Sequence, residues 1–290
     1  MDHQDSGIVT DRVKGQHNLL RELARLFAAI PEVEGVALGG STATGQADTS
    51  SDIDLYIYSS DPVPLSARSA LSKPRAERIE VGNHFFESGD EWDERETGIH
   101  IDIMYRDLSD IQSRLDRVLV GYEASIGYTT CVWHNVLTCR TLFDRSGRLD
   151  ELKRFADRPY PDELAKAIVA KNHPLLRDNF GAFGGQILKA AQRNDVVSVN
   201  HRIAAFLASY FDIIFAASRE PHPGEKRLLP TAGALPRHPP HMQEDIERLL
   251  YARTPAELGE PIDSLANNLG ELLARQGLAP ERSQVGYLHR

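Results

Sequence analysis

Apolar positions early in the chain recur at helical spacing. Val13, Leu19, Leu20, Leu23, Leu26, Phe27 and Ile30 form this pattern, which stops at Pro31 and Gly35. Val36 to Leu38 reads as a strand and Asp52 to Tyr58 as a second, with a paired glycine and a polar segment between them. Asp61-Pro62-Val63-Pro64 is a break. Ser66 to Ala76 reads as a short helix or a loop, and Arg78 to Phe86 alternates weakly, as a strand does. Glu87 to Glu94 reads as an acidic, solvated hairpin loop, or else as a surface for a cationic substrate or the home of a general base, with Trp92 either an exposed anchor on that hairpin or covering a ligand ring. Ile99, Ile101 and Ile103 alternate with His100, Asp102 and Met104, which predicts a further strand. Leu108, Ile111, Leu115, Val118 and Leu119 then mark an amphipathic helix, and Gly121 to Leu142 holds another helix and a closing strand.

From about residue 151 the period is helical throughout. A helix begins at Pro161-Asp162, and Asn194-Asp195 caps a longer one. The longer helix carries the stripe Val199, Ile203, Phe206, Leu207, Tyr210 and Ile214, which is core packing. Asn200, Arg202 and Asp212 lie off that stripe and are expected on a cleft-facing side. Two more helices run over Glu244 to Tyr251 and Ile262 to Leu273, with Gly277 as a C-cap. The expected architecture is α/β: a mixed-sheet domain over residues 1–150, followed by an all-α helical bundle over residues 151–290.

Composition bounds the function. At 290 residues and 41% hydrophobic content, the chain suits two domains, or one large one, with ample core. A net charge of -9 disfavours general nucleic-acid binding, which rests on phosphate neutralisation. No apolar run approaches a membrane span and the N-terminus does not read as a signal peptide, so the expected location is cytoplasmic. Cys131 and Cys139 are not at zinc-site spacing and are expected to be reduced, packed thiols.

The chemistry concentrates in Val36 to Tyr58. Residues i and i+2 of a strand point to one face, so Asp52 and Asp54 project together while Ile53, Leu55 and Ile57 face a core. Neighbouring carboxylates repel, and a hard divalent cation such as Mg²⁺ relieves that cost. Gly39 and Gly40 allow a tight turn with close backbone approach, and Ser41 and Thr42 can cap a short helix that faces an anion. Asp102 supplies a third acid on a later strand, as a two-metal site requires.

Gly-Gly-Ser, then Asp-Ile-Asp, then a lone Asp on a later strand resembles the DNA polymerase β-type nucleotidyltransferase superfamily, over roughly the first half of the chain. Small-molecule members of the aminoglycoside- and lincosamide-modifying kind belong to that group. Gly127-Tyr128-Thr129-Thr130, Trp133-His134-Asn135 and Pro223 to Arg227 resemble a poorly characterised bacterial branch with a helical C-terminal domain.

The resemblance implies transfer of a nucleoside monophosphate from a nucleoside triphosphate, ATP first among them, to an acceptor hydroxyl. The acceptor is expected to be a small molecule; a protein, an RNA end, or a catalytically silent nucleotide sensor are the alternatives. Asp52, Asp54 and Asp102 would hold two Mg²⁺ ions, and Gly39, Gly40 and Ser41 the phosphates. Asp102 or Glu123 would take the proton, with Glu87 a poorer choice. Many relatives carry an arginine just after the Gly-Ser turn, but Thr42 to Ser51 has no basic residue. Lys226 and Arg227, in a stiff loop, are the expected replacement cations, unless that loop is only a linker.

Overall fold

The computed structural model describes residues 5–43, 45, 52–252 and 254–279. Two compact units result, one of residues 1–115 with 135–158, the other of residues 116–134 with 159–290. The first contains helix α1 (Asp5–Ala28), strand β1 (Val33–Leu38), the single turn α2 (Gly40–Ala43), β2 (Ile53–Ser59), α3 (Leu65–Ser72), β3 (Ala76–Asn83), β4 (Gly89–Glu94) and β5 (His100–Asp107). Helix α4 (Leu108–Leu119) and helix α5 (Cys131–Thr138) cross the boundary between units, and β6 (Arg140–Asp144) with α6 (Arg148–Ala156) completes the first.

Among the described residues, six strands form one mixed sheet in the order β3-β4-β5-β2-β1-β6. Only β2 and β5 run parallel; every other neighbouring pair is antiparallel. Ile53, Leu55 and Ile57 of β2 and Ile101 and Ile103 of β5 are fully buried in one cluster with Leu23 and Phe27 of α1. Burying each such side chain contributes about 1.5–3 kcal/mol. With that sheet face committed to the core, a one-residue slip would expose the isoleucines and bury the acids, so the register is strongly specified.

Residues 89–94, expected as a solvated loop, are instead strand β4, hydrogen-bonded on both sides. Asp90, Trp92 and Glu94 face the core, so the segment alternates even though acids occupy two of its three inward positions. Trp92 is 1% exposed and packs with the core isoleucines, so it does not stand exposed on a hairpin. Its indole donates to Glu94 Oε2 at 3.3 Å, and burial raises the Glu94 pKa. The buried Asp90 carboxylate accepts from Arg68 Nη2 at 2.6 Å, Tyr105 Oη at 2.7 Å and the Gly82 amide at 2.8 Å.

The second unit is helical: α7 (Asp162–Leu176), α8 (Phe183–Gln192), α9 (Val196–Ser218), α10 (Leu228–Gly233), α11 (Met242–Tyr251) and α12 (Pro255–Arg275). Asp195 caps α9 by accepting from the Ser198 amide, and Thr254 with Glu257 forms a capping box on α12. Gly277 takes a positive φ of 68° just past α12, and the Leu278 amide donates to Leu273 O at 2.9 Å, which closes that helix. Cys131 and Cys139 are free thiols.

Polar side chains hold the segment before α5 in this unit. Asp212 of α9 accepts from the Thr129 amide at 3.0 Å and from Thr129 Oγ1 at 2.6 Å. Asn172 of α7 accepts from the Gly127 amide at 3.0 Å and donates to Ser125 O at 2.9 Å. Asp212 is therefore a buried structural residue, not one open to a cleft.

Burial pushes the Asp212 carboxyl up to about 6, despite the Thr129 hydrogen bonds that favour its charge. A folded-state pKa above the unfolded value of about 4 means that this group's contribution to stability is full below pH 4 and is lost as pH rises through 6. The change amounts to about 3 kcal/mol across that window. Asp212→Asn should flatten this part of the stability–pH curve measured by chemical denaturation; an unaltered slope between pH 4 and 6 would place the buried proton elsewhere.

Candidate active site

Strand register brings the acids together on the sheet face opposite the isoleucine core. Asp54 of β2 and Asp102 of β5 are direct partners in the parallel pair. Neighbouring strands lie about 4.8 Å apart, and register partners point to the same side. Asp102 in turn faces Glu91 of β4. Asp52 is exposed one residue before β2 begins. Its charge is felt by His100, whose ring Nδ1 lies 2.8 Å from Asp93 Oδ1. Desolvation alone would lower the His100 pKa; the Asp93 hydrogen bond and the charges of Asp52, Asp93 and Glu91 outweigh it and raise that pKa.

The glycine turn abuts this face. The Gly39 amide donates to Asp54 O at 2.8 Å, and Thr42 Oγ1 donates to Asp52 O at 3.1 Å. Gly40 has a φ of 60°, and a Cβ built on it would collide with the Asp54 carboxylate. A Cβ on Gly39 would strike the Tyr56 ring. Glycine is needed at both positions, so that the backbone can lie against a carboxylate and an aromatic ring. Residue 44 and residues 46–51, where no basic residue occurs, lie outside the described residues.

Two further features of this face escaped sequence reasoning. Arg106 continues the alternation of β5 beyond Met104 and sits 3.8 Å over the Tyr56 ring, the ring that backs Gly39. Its fork is held by Glu87 at 2.8 and 3.1 Å, so Glu87 is committed to an ion pair. A cavity of about 410 Å³ lies on the same face, lined by Arg78, Glu80, Glu91, Asp93 and His100 with Ile79 and Trp92. His100 was legible from the alternation that marked Asp102. Glu91 and Asp93 lie within the acidic segment whose sequence suggests a substrate surface, but only the β4–β5 pairing sets them opposite Asp102 and His100.

The other expected site residues belong to the second unit. Glu123 is exposed and paired with Arg117 at 2.6 Å. Lys226 and Arg227 are exposed before α10, and Arg227 adopts a left-handed backbone at its N-cap.

Among the described residues, no group of three or more His, Cys, Asp or Glu side chains is gathered closely enough to hold a metal ion. The donor chemistry nonetheless fits a hard cation. Mg²⁺ is usually held by one or two carboxylates, with water and substrate phosphate completing its shell. Asp54 and Asp102 supply two carboxylates on adjacent strands, beside the paired glycines Gly39 and Gly40.

Residues 17–120 match the model of a family described as a nucleotidyltransferase domain. A nucleotidyltransferase-like protein of known structure from Exiguobacterium sibiricum 255-15 is 15% identical, over 89% of this chain and 74% of that one, with a TM-score of 0.42. Comparison with curated proteins returns no match. The matched segment runs from α1 to the end of α4 and so contains the glycine turn, Asp52, Asp54 and Asp102. Over residues 17–120 the chain is thus similar to a nucleotidyltransferase domain.

Proposed function

We propose that the protein transfers a nucleoside monophosphate from a nucleoside triphosphate, ATP first among them, to a hydroxyl of a small-molecule acceptor. The acceptor oxygen attacks the α-phosphorus. The bond from that phosphorus to the β-bridging oxygen breaks, pyrophosphate leaves, and the acceptor proton passes to a carboxylate. The observation that carries this reading is the Asp54–Asp102 register pair beside a turn in which Gly40 leaves room only for the Asp54 carboxylate. Asp52, Asp54 and Asp102 would hold Mg²⁺, two ions in the reading favoured here. When bound, Mg²⁺ neutralises charge developing on the phosphates and on the attacking oxygen.

The chain's own groups divide the remaining work. Amides of Gly40 and Ser41 orient the departing phosphates, with Gly39 shaping the turn. Asp102 accepts the proton in preference to Glu123, whose carboxylate already pairs with Arg117. Lys226 and Arg227 supply cations to the triphosphate. If so, Lys226→Ala should weaken triphosphate binding about tenfold or more while leaving nucleoside binding intact.

A small acceptor is supported by the cavity of about 410 Å³ lined by Glu91, the register partner of Asp102, within the range of about 300–1,000 Å³ usual for small-molecule sites. The surrounding carboxylates of Glu80, Glu91 and Asp93 make that cavity hostile to RNA phosphates. No described helix is long and apolar enough to cross a membrane, and we place the reaction in the cytoplasm.

The test is pyrophosphate release from each nucleoside triphosphate with Mg²⁺ or chelator, against a panel of hydroxyl-bearing small molecules. Release that requires both Mg²⁺ and an acceptor is expected. Tight triphosphate binding without release against any acceptor would favour the sensor; label appearing on protein or RNA alone would move the acceptor class.

A further inference from the structure

At β6, the sheet edge farthest from β4, a second cavity of about 480 Å³ lies between α1 and the strand. Its charged and titratable lining is wholly basic: His17, Arg21 and Arg25 from α1, and Arg140 from β6. Leu20, Ala24, Leu142 and Phe143 are among its apolar walls. In a chain of net charge -9, a pocket with no carboxylate among its described lining residues is a marked local reversal.

The basic residues also lack counter-charges among the described residues. His17, Arg21 and Arg25 follow at i, i+4 and i+8, which stacks them along one face of α1, where like charges destabilise a helix. Elsewhere in this unit Arg68, Arg75, Arg106 and Arg148 each pair with a carboxylate. Arg21, Arg25 and Arg140 pair with none among the described residues, and the acid nearest in sequence, Glu22, is taken by Arg75. The end of the groove is braced: Arg145 donates to Ala28 O at 2.7 Å and to Val33 O at 2.9 Å, and lies over the Phe143 ring.

We propose that this groove is a binding site for a phosphate-bearing small molecule, distinct from the nucleotidyl-transfer site. Guanidinium forks from two elements match phosphate oxygens bidentately. The cavity has the size of a small-molecule site, and its apolar walls suit an organic body attached to the phosphate. A free inorganic phosphate and an organic phosphate ester share that recognition.

The experiment is titration calorimetry on the full chain in chelator, with inorganic pyrophosphate and hexyl phosphate as separate probes. Binding of at least one is expected, and in Arg25→Gln/Arg140→Gln it should weaken about tenfold or more. Both side chains are exposed, so the variant should melt as the wild type does. Tighter hexyl phosphate would identify an organic ester as the source, and tighter pyrophosphate an inorganic one. Asp54→Asn should leave either affinity unchanged. The proposal is overturned if neither probe binds, if the double arginine variant binds as tightly as wild type, or if Asp54→Asn removes the binding.

Discussion

Asp54→Asn is expected to slow pyrophosphate release on the order of a thousandfold while shifting the apo melting temperature little. The amide has nearly the shape of the carboxylate, so it fits the space left by Gly40. The bond that ties the turn to β2 runs from the Gly39 amide to the main-chain oxygen of Asp54, which the substitution keeps. What is lost is one unit of negative charge beside Asp102, and with it the preference for a hard cation. Wild type should gain melting temperature from Mg²⁺ with a nucleoside triphosphate, because the ligand binds the folded state, and the variant should not. Gly40→Ala offers an independent check, since its Cβ would displace the same carboxylate without altering any charge. An Asp54→Asn protein that retains both the thermal shift and most of its rate would show that this register pair is not the reacting centre.

The second large effect is on stability. Arg68→Met should cost about 3–5 kcal/mol, because it leaves the Asp90 carboxylate buried without its counter-charge. Asp90 is 1% exposed and takes Arg68 through Nε at 3.0 Å and Nη2 at 2.6 Å. The same guanidinium donates to Gly89 O at 2.7 Å and lies 3.9 Å over the Tyr105 ring, so one side chain ties α3 to β4 and β5. Tyr105 Oη and the Gly82 amide still reach the carboxylate in the variant, but neither carries charge. A buried pair replaced on both sides by apolar groups is often near neutral. Arg68→Met/Asp90→Leu should therefore recover most of the loss, and a double-mutant cycle by urea denaturation would measure the coupling. A single-variant cost below about 1 kcal/mol would mean that water reaches Asp90 once the arginine is gone.

The same ion pair explains where sequence reading stopped. β5 was legible because isoleucines fill its inward positions and polar residues its outward ones. β4 carries an equally strict alternation, but Asp90 and Glu94 stand where apolar residues would signal a core. Nothing within Glu87 to Glu94 reveals that an arginine on α3 neutralises Asp90, or that the Trp92 indole donates to Glu94. Asp212 misled for the same reason. Its offset from the apolar stripe of α9 reads as exposure, whereas Thr129 and Asn172, 83 and 40 residues away in the chain, satisfy it in the interior.

Local pattern by itself determined the α/β start and helical remainder, the period of α1 and the capped start of α9. Each depends on spacing within a few residues, and the backbone geometry of helix or strand converts that spacing directly into direction. Only the tertiary structure decided that Asp54 stands beside Asp102, that β4 completes the sheet between β3 and β5, and that residues 116–134 pack with the helical unit. Only it showed that Arg106 backs the glycine turn through Tyr56 and that a basic groove opens against β6. These are relations between segments far apart in the chain. They are set by which buried polar groups find partners, and strand order and ion pairing leave no period in the sequence from which to read them.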